Sequence, residues 1–358
     1  MKSTLLLLIS ALLFGATSLP AQNAAMEKRL ARGLKLFPDA DTNHDGKLSL
    51  EEAMAYLELH PDLKSLLAEV PGQPADSSST APAKPLSSDP AAGPRVFVCA
   101  HSFMIYTAKL LPPLAEAAKQ AYQSAGQQMI GGSRVIQHWN LPDDKNKAKA
   151  ALREGNVDVL TLSPHLQLPD EGIDNFTKLG LEKNPKLRVL VQASWPARDG
   201  HEEKGFANEN RDDATVESLR QMQESYRKSW LQPLEAQVRQ LNQSIGHDAV
   251  VIVPVSEAIL ELRVKLAEGK APGLTKQSAL FRDPLGHPQA ALAALVTYCH
   301  FAAIFGHSPE GLPVPSELKS SPQAEELNHL LQKLAWDAVS HYPMSGVKSS
   351  STEAAAAQ

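Results

Sequence analysis

Along the chain the period of the apolar positions changes twice, and those changes divide the sequence before any chemistry is considered. Within residues 24–37, Leu30, Leu34 and Phe37 recur at spacings of four and three, which marks one face of a short helix. A second helix is expected at 50–59, ended or kinked by His60-Pro61, with Leu63, Leu66 and Leu67 suggesting a further turn or two. From 72 to 93 the period is lost in Pro, Ser, Ala and Asp, the composition of a tether. Beyond it, short β-branched runs alternate with longer amphipathic ones, and this alternation predicts an α/β fold with a mainly parallel sheet. Strands are expected at 96–99, 157–162, 187–193 and 250–253, and helices at 106–119, 145–154, 214–243, 257–268 and 289–305. The longest helix carries Val216, Leu219, Met222, Tyr226, Leu234, Val238 and Leu241 near helical spacing, with Pro233 as a kink. The order of the strands does not follow from the pattern.

The first residues form a pattern of their own. Lys2 precedes an apolar run at 5–14, and the small residues Ala16, Ser18 and Ala21 follow, so residues 1–21 read as a signal peptide and the protein is expected to be exported. The alternative is an uncleaved anchor, although the run is too short to span a bilayer and no second apolar stretch reaches about 18 residues. The expected division is a small helical domain at 24–70, a Pro/Ser/Ala-rich linker at 71–94, an α/β domain at 95–315, a C-terminal helical segment at 316–348 and a disordered tail at 349–358. A chain of 358 residues with 43% hydrophobic and 21% charged residues can bury a proper core in each domain. With a formal charge of -5 and no basic block, nucleic acid is not expected as a partner. Cys99 and Cys299 either bridge or pack as buried thiols.

Residues 41–52 carry the densest chemistry. Asp41, Asn43 and Asp45 stand at positions one, three and five of a twelve-residue loop, Lys47 at seven, Ser49 at nine and Glu52 at twelve. A hard cation needs six or seven oxygens, and this spacing supplies them from three side chains, the Lys47 carbonyl, a water held by Ser49 and both oxygens of Glu52. Gly46 allows the sharp turn, and Leu48 is placed to pack inward. Over 26–60 the chain resembles the EF-hand family, and calcium is the expected ligand. EF-hands usually pair and no second loop is visible, so the lone hand is expected to self-associate, to dock on the large domain or to bind calcium weakly.

In the large domain three segments look chemical. Ser102 follows directly on an expected buried strand, where open α/β folds place their sites, though a serine there can equally cap the next helix. Gly131 and Gly132 form a turn whose amides could face a reacting carbonyl. Asp283 and His287 lie on one Pro- and Gly-containing loop, where the carboxylate could fix the tautomer of the imidazole while the imidazole takes a proton from Ser102.

The order Ser, Gly, then a late Asp and His before an Ala-rich helix resembles the SGNH (GDSL-like) hydrolase family over 95–313, ending in the phrase from His307 to Pro313. The resemblance implies a flavodoxin-like three-layer α/β/α sandwich and hydrolysis of esters, often acetyl groups on carbohydrates. It makes Ser102 the nucleophile, Gly132 or Gly131 an oxyanion donor, and Asp283 with His287 the rest of a triad. The family's Gly-Asp-Ser is Ala100-His101-Ser102 here, the Asp-to-His spacing is one residue longer, and Ser163 or His165 stands where an Asn would donate. The lipase elbow Gly-x-Ser-x-Gly is absent. Two readings remain at this stage: a secreted serine esterase with a calcium-binding hand, or a calcium-binding interaction protein whose large domain is catalytically silent. A metal enzyme built on His101, His138, His165 or His201 lacks a ligand spacing such as His-x-x-x-His.

Overall fold

The structure, a computed structural model, describes residues 34, 38–42, 45–49, 52, 86–202 and 204–347. The expected signal peptide, Asn43, most of the helices beside the loop, the first part of the linker and the tail lie outside the described residues. The chain divides between Lys84 and Pro85 into two units.

In the larger unit the apolar runs become β1 (Arg95–Ala100), β3 (Val159–Leu162), β4 (Arg188–Gln192) and β5 (Val250–Val253). Each is buried almost throughout, as strands covered on both faces must be. Alternate residues enter opposite cores. Val96, Val159, Leu190 and Val251 join one, while Phe97, Leu160, Val189 and Ile252 join the other. The first core is closed by α1 (Thr107–Ala117), α7 (Val255–Ala267), α8 (Ala290–Phe305) and α9 (Ala324–His341). The second is closed by α2 (Val135–Trp139), α3 (Lys147–Arg153), α4 (Glu171–Leu181) and α6 (Gln232–Ile245). Five parallel strands in the order β2-β1-β3-β4-β5, between two helical layers, make a flavodoxin-like α/β/α sandwich. In such a sheet the chain reverses direction beside β1, and the crevice at the carboxyl ends of the strands there is where ligands bind.

Four features depart from the pattern read along the chain. The strand β2 (Gln123–Met129) was not expected, because an edge strand of sequence QSAGQQM needs no apolar run. The short α2 and α4 were also not expected. In the long helix, α5 (Val216–Tyr226) leads into one wide turn, Arg227–Leu231, before α6. Pro233 has no N–H to return to the preceding turn, and the chain widens just upstream, with the Gln232 N–H bonding the Arg227 carbonyl. Finally, α9 places Leu327, Leu331, Ala335 and Val339 in the core shared with α8, so the C-terminal segment is part of the same layer.

Near both ends of its described residues this unit is tied to a sheet edge. Gln123 of β2 bonds the backbone of Ser87 and Gly93, so 87–93 run with the large unit and not with the tether. Beside β5, the Met344 carbonyl accepts the Ile252 N–H. Cys99 and Cys299 are free thiols, buried in the cores on opposite faces of the sheet. Among the described residues no helix is long and apolar enough to cross a membrane.

Candidate active site

Ser102 lies two residues past the end of β1 and is half-buried. It does not cap α1, which begins at Thr107 with Tyr106 at its N-cap and no side-chain cap. Instead the Met104 and Ile105 N–H groups turn back to the His101 carbonyl, which leaves the Ser102 side chain at the carboxyl edge of the sheet. There its Oγ lies 2.8 Å from His287 Nε2. His287 Nδ1 in turn lies 2.6 Å from Asp283 Oδ2. The three residues that the sequence singles out on two distant segments thus form one hydrogen-bonded line.

The loop that carries Asp283 and His287 closes on itself. Phe281 and Pro288 form an antiparallel bridge, and the Arg282 N–H bonds the His287 carbonyl at 2.7 Å. The extra residue between acid and base is taken up by a turn in which the Gly286 N–H meets the Asp283 carbonyl at 3.1 Å. Gly286 has φ +110, a conformation that a side chain would strain. The Asp283 Oδ1 also accepts the N–H groups of Gly286 and His287, at 3.0 and 3.2 Å. Partial burial raises the Asp283 pKa, but the His287 ring and these amides outweigh it and hold the carboxyl at about 2. At neutral pH Asp283 is therefore ionised and accepts the hydrogen bond of the Nδ1–H, which leaves Nε2 free to accept from Ser102.

Beneath this loop lies a cluster that the sequence did not reveal. Arg211, buried, donates to the carbonyls of Pro284 at 2.8 Å and Asp283 at 3.3 Å. Its Nε bonds Asp199 at 3.1 Å, and Arg263, also buried, holds the other Asp199 oxygen at 2.6 Å. Phe103 stacks on Trp195 with centroids 4.6 Å apart and meets the His287 ring edge-on at 5.3 Å. The Trp195 Nε1 completes the frame by donating to the Gly286 carbonyl at 3.0 Å. No local motif could have pointed to Arg211, because its partners Asp199 and the Asp283–Pro284 carbonyls lie 12 and more than 70 positions away in the chain.

No protein-family model matches the chain. No curated protein matches it either. Two solved structures resemble it at low identity. One is a DUF4886 family protein from Bacteroides uniformis, 16% identical, covering 72% of this chain and 98% of that one, with a TM-score of 0.44. The other is named as a candidate SGNH hydrolase from Slackia heliotrinireducens, 18% identical, covering 57% of this chain and 96% of that one, with a TM-score of 0.33.

The residues expected to face an oxyanion lie in neighbouring loops. Ser163 follows β3, and its Oγ accepts the His101 N–H at 2.9 Å, one residue before Ser102. Gly131 and Gly132 follow β2, directly after the last β1–β2 contact, where the Ile130 N–H bonds the Ala100 carbonyl at 3.3 Å. His101 is buried, and burial with the nearby His165 ring drives its pKa down to about 3, so it is neutral. Its Nδ1 accepts the Phe103 N–H at 3.2 Å. Among the described residues no three His, Cys, Asp or Glu side chains gather to hold a metal ion. The apolar cleft between α1 and α8 is lined by Leu110, Leu114, Ala294 and Tyr298 among others, and by none of the three aligned residues.

In the smaller unit, Asp41 and Glu52 are buried, and Gly46 has φ +77. The Asp41 carboxylate accepts the N–H groups of Asp45 and Gly46 at 3.2 and 2.9 Å, which draws the loop around its first residue. Ser49 and Glu52 cap each other: the Glu52 N–H bonds Ser49 Oγ at 3.1 Å and the Ser49 N–H bonds Glu52 Oε2 at 2.9 Å. Leu48 is buried. These donors are all hard oxygens, the chemistry that suits calcium, while the Asn43 position lies outside the described residues.

Proposed function

We propose that the large domain is a serine hydrolase of carboxylic esters. The observation that carries this reading is the line from Ser102 Oγ through the His287 ring to Asp283, with separations of 2.8 and 2.6 Å. In the reaction His287 Nε2 takes the Ser102 proton as Oγ attacks the acyl carbon, and the tetrahedral oxyanion is met by amides of the flanking loops. His287 then gives that proton to the leaving alkoxide; a water, deprotonated by the same ring, attacks the acyl-serine, and as the acyl–Oγ bond breaks the ring returns the proton to Ser102 Oγ and the carboxylic acid is released. Asp283 orients the ring and balances the charge it gains. Acetylated sugars are the substrates to try first, on the strength of the sequence resemblance.

A serine-reactive fluorophosphonate should label the protein at Ser102, and p-nitrophenyl acetate should be turned over. Ser102→Ala and His287→Ala should each lose activity to a similar, non-additive extent, because the two act as a unit. Asp283→Asn should cost less. Full activity in all three variants, or no labelling and no turnover in the wild type, would leave a silent interaction domain as the reading.

We further propose that the small unit binds calcium. Asp41, Asn43, Asp45 and Glu52 would supply side-chain oxygens and Lys47 its carbonyl, with Ser49 acting through a water. The support is the loop drawn around Asp41 and the positive φ at Gly46. Export through residues 1–21 belongs to the same proposal.

A further inference from the structure

A second serine–histidine contact lies one loop away from Ser102, and it has no acid. His138 on α2 and Ser133 in the turn before it are both 1% exposed, and His138 Nε2 lies 2.8 Å from Ser133 Oγ. The direction of every proton in this contact can be read from its ends. Gln128 Oε1 accepts the Ala148 N–H at 3.2 Å, which fixes the amide so that its nitrogen faces His138 Nδ1, at 3.2 Å. An amide nitrogen only donates, so Nδ1 accepts and the ring proton sits on Nε2. His138 therefore donates to Ser133, and the Ser133 hydroxyl donates in turn to the Ile130 carbonyl at 3.0 Å. Burial pulls the His138 pKa down to about 4, so the ring stays neutral, as a group that accepts at one nitrogen and donates at the other must. This serine has no proton to give to a base and is no second nucleophile.

The chain of bonds ends on the carbonyl of the peptide that joins Ile130 to Gly131. A trans peptide is planar, so its N–H points opposite to its carbonyl. With the Ile130 carbonyl held toward the buried Ser133, the Gly131 N–H faces the other way. Gly131 lies just past the point where β1 and β2 part, and on β1 the next residues are His101 and Ser102. Neither Gly131 nor Gly132 has a neighbour that even a Cβ would touch, so the space beside this turn is open.

We propose that His138 is a positioning residue: through Ser133 it locks the Ile130–Gly131 peptide so that the Gly131 N–H serves as an oxyanion donor for Ser102. The proposal rests on Ser102 being the nucleophile. It also explains why a polar edge strand keeps one residue, Gln128, buried at 5% exposure: Gln128 sets the tautomer of the ring.

The test is the ratio of rates on a p-nitrophenyl ester and its thionoester. Sulfur is a weak acceptor, so losing an oxyanion donor slows the ester far more than the thionoester, whereas a general loss of structure slows both alike. Ser133→Ala should lower kcat on the ester by roughly 10-fold to 100-fold with little change in KM, and should lower the ratio by a similar factor. Among substitutions of the ring, His138→Gln, which can donate from the place of Nε2, should keep more of the ratio than His138→Asn, which cannot reach it. If Ser133→Ala fails to fold, as judged by circular dichroism, the Gln/Asn comparison decides. An unchanged ratio in folded Ser133→Ala, or equal ratios in the two His138 variants, overturns the positioning role while the esterase stands. A wild type that neither labels nor turns over removes the esterase and this role with it.

Discussion

At Asp283 burial and hydrogen bonding act on one carboxyl in opposite directions, and hydrogen bonding wins. A carboxyl held at about 2 in the folded protein, against roughly 3.9 in an unfolded chain, adds stability that is fully present above the unfolded value. That contribution is lost as pH falls from about 4 through about 2. Chemical denaturation across this window should therefore show a steeper loss for wild type than for Asp283→Asn, and parallel curves would mean that the bond to His287 is weak. Arg211 gives a second prediction at the same scale. Arg211→Ala leaves Asp199 with Arg263 alone and takes the donor from the Asp283 and Pro284 carbonyls, so it should cost on the order of 1–3 kcal/mol in urea denaturation. Arg211→Lys keeps the charge but cannot reach Asp199, Asp283 and Pro284 together, so esterase activity should fall even where the variant is fully folded. Ser102, Asp283 and His287 were legible in the sequence because each sits in a short segment with its own pattern. Asp199, Arg211 and Arg263 were not, since charged residues scattered through a polar stretch look solvated until the fold buries them together.

Among the elements, α2 and α4 depend on one carboxylate. Asp170, fully buried, accepts the Val135 and Ile136 N–H groups at 2.7 and 2.8 Å and the Gly172 N–H at 3.1 Å, so it caps both helices at once. The helices meet so closely there that a Cβ on Gly172 would lie 2.4 Å from the Ile136 nitrogen. Asp170→Ala should lower stability by on the order of 2–4 kcal/mol, the sum of two caps, and Asp170→Asn by less. Equal stability of Asp170→Ala and wild type would contradict the double cap. Elements with a strong apolar pattern, such as α8 and the four strands β1, β3, β4 and β5, could be read from the sequence to within a few residues. The elements missed were those held by such contacts between segments: β2 by its place at an edge, and α2 and α4 by Asp170.

For the whole molecule, the boundary between Lys84 and Pro85 falls within the Pro- and Ser-rich stretch, and limited proteolysis should cut first within 72–86. First cuts inside 95–313 would mean that the tether is protected. The released small unit should gain thermal stability with added calcium if it binds the ion, since a ligand of the native state adds RT ln(1 + [L]/Kd). Glu52→Gln should abolish most of that gain, and equal calorimetric affinity in the variant would remove the assignment.

The bond between Ser102 and His287 spans 185 positions of chain. A ribosome delivers β1 and its serine well before β5, α7 and the loop with Asp283 and His287. A growing chain that has passed Ser102 but not yet reached His287 therefore carries the hydroxyl without the ring that would draw off its proton. A protein that is passed through a membrane as an extended thread would be equally inert until the last third of it had arrived. If Ser102 is the proposed nucleophile, the distance between the two residues works as a built-in delay, which keeps it unarmed until His287 has been made.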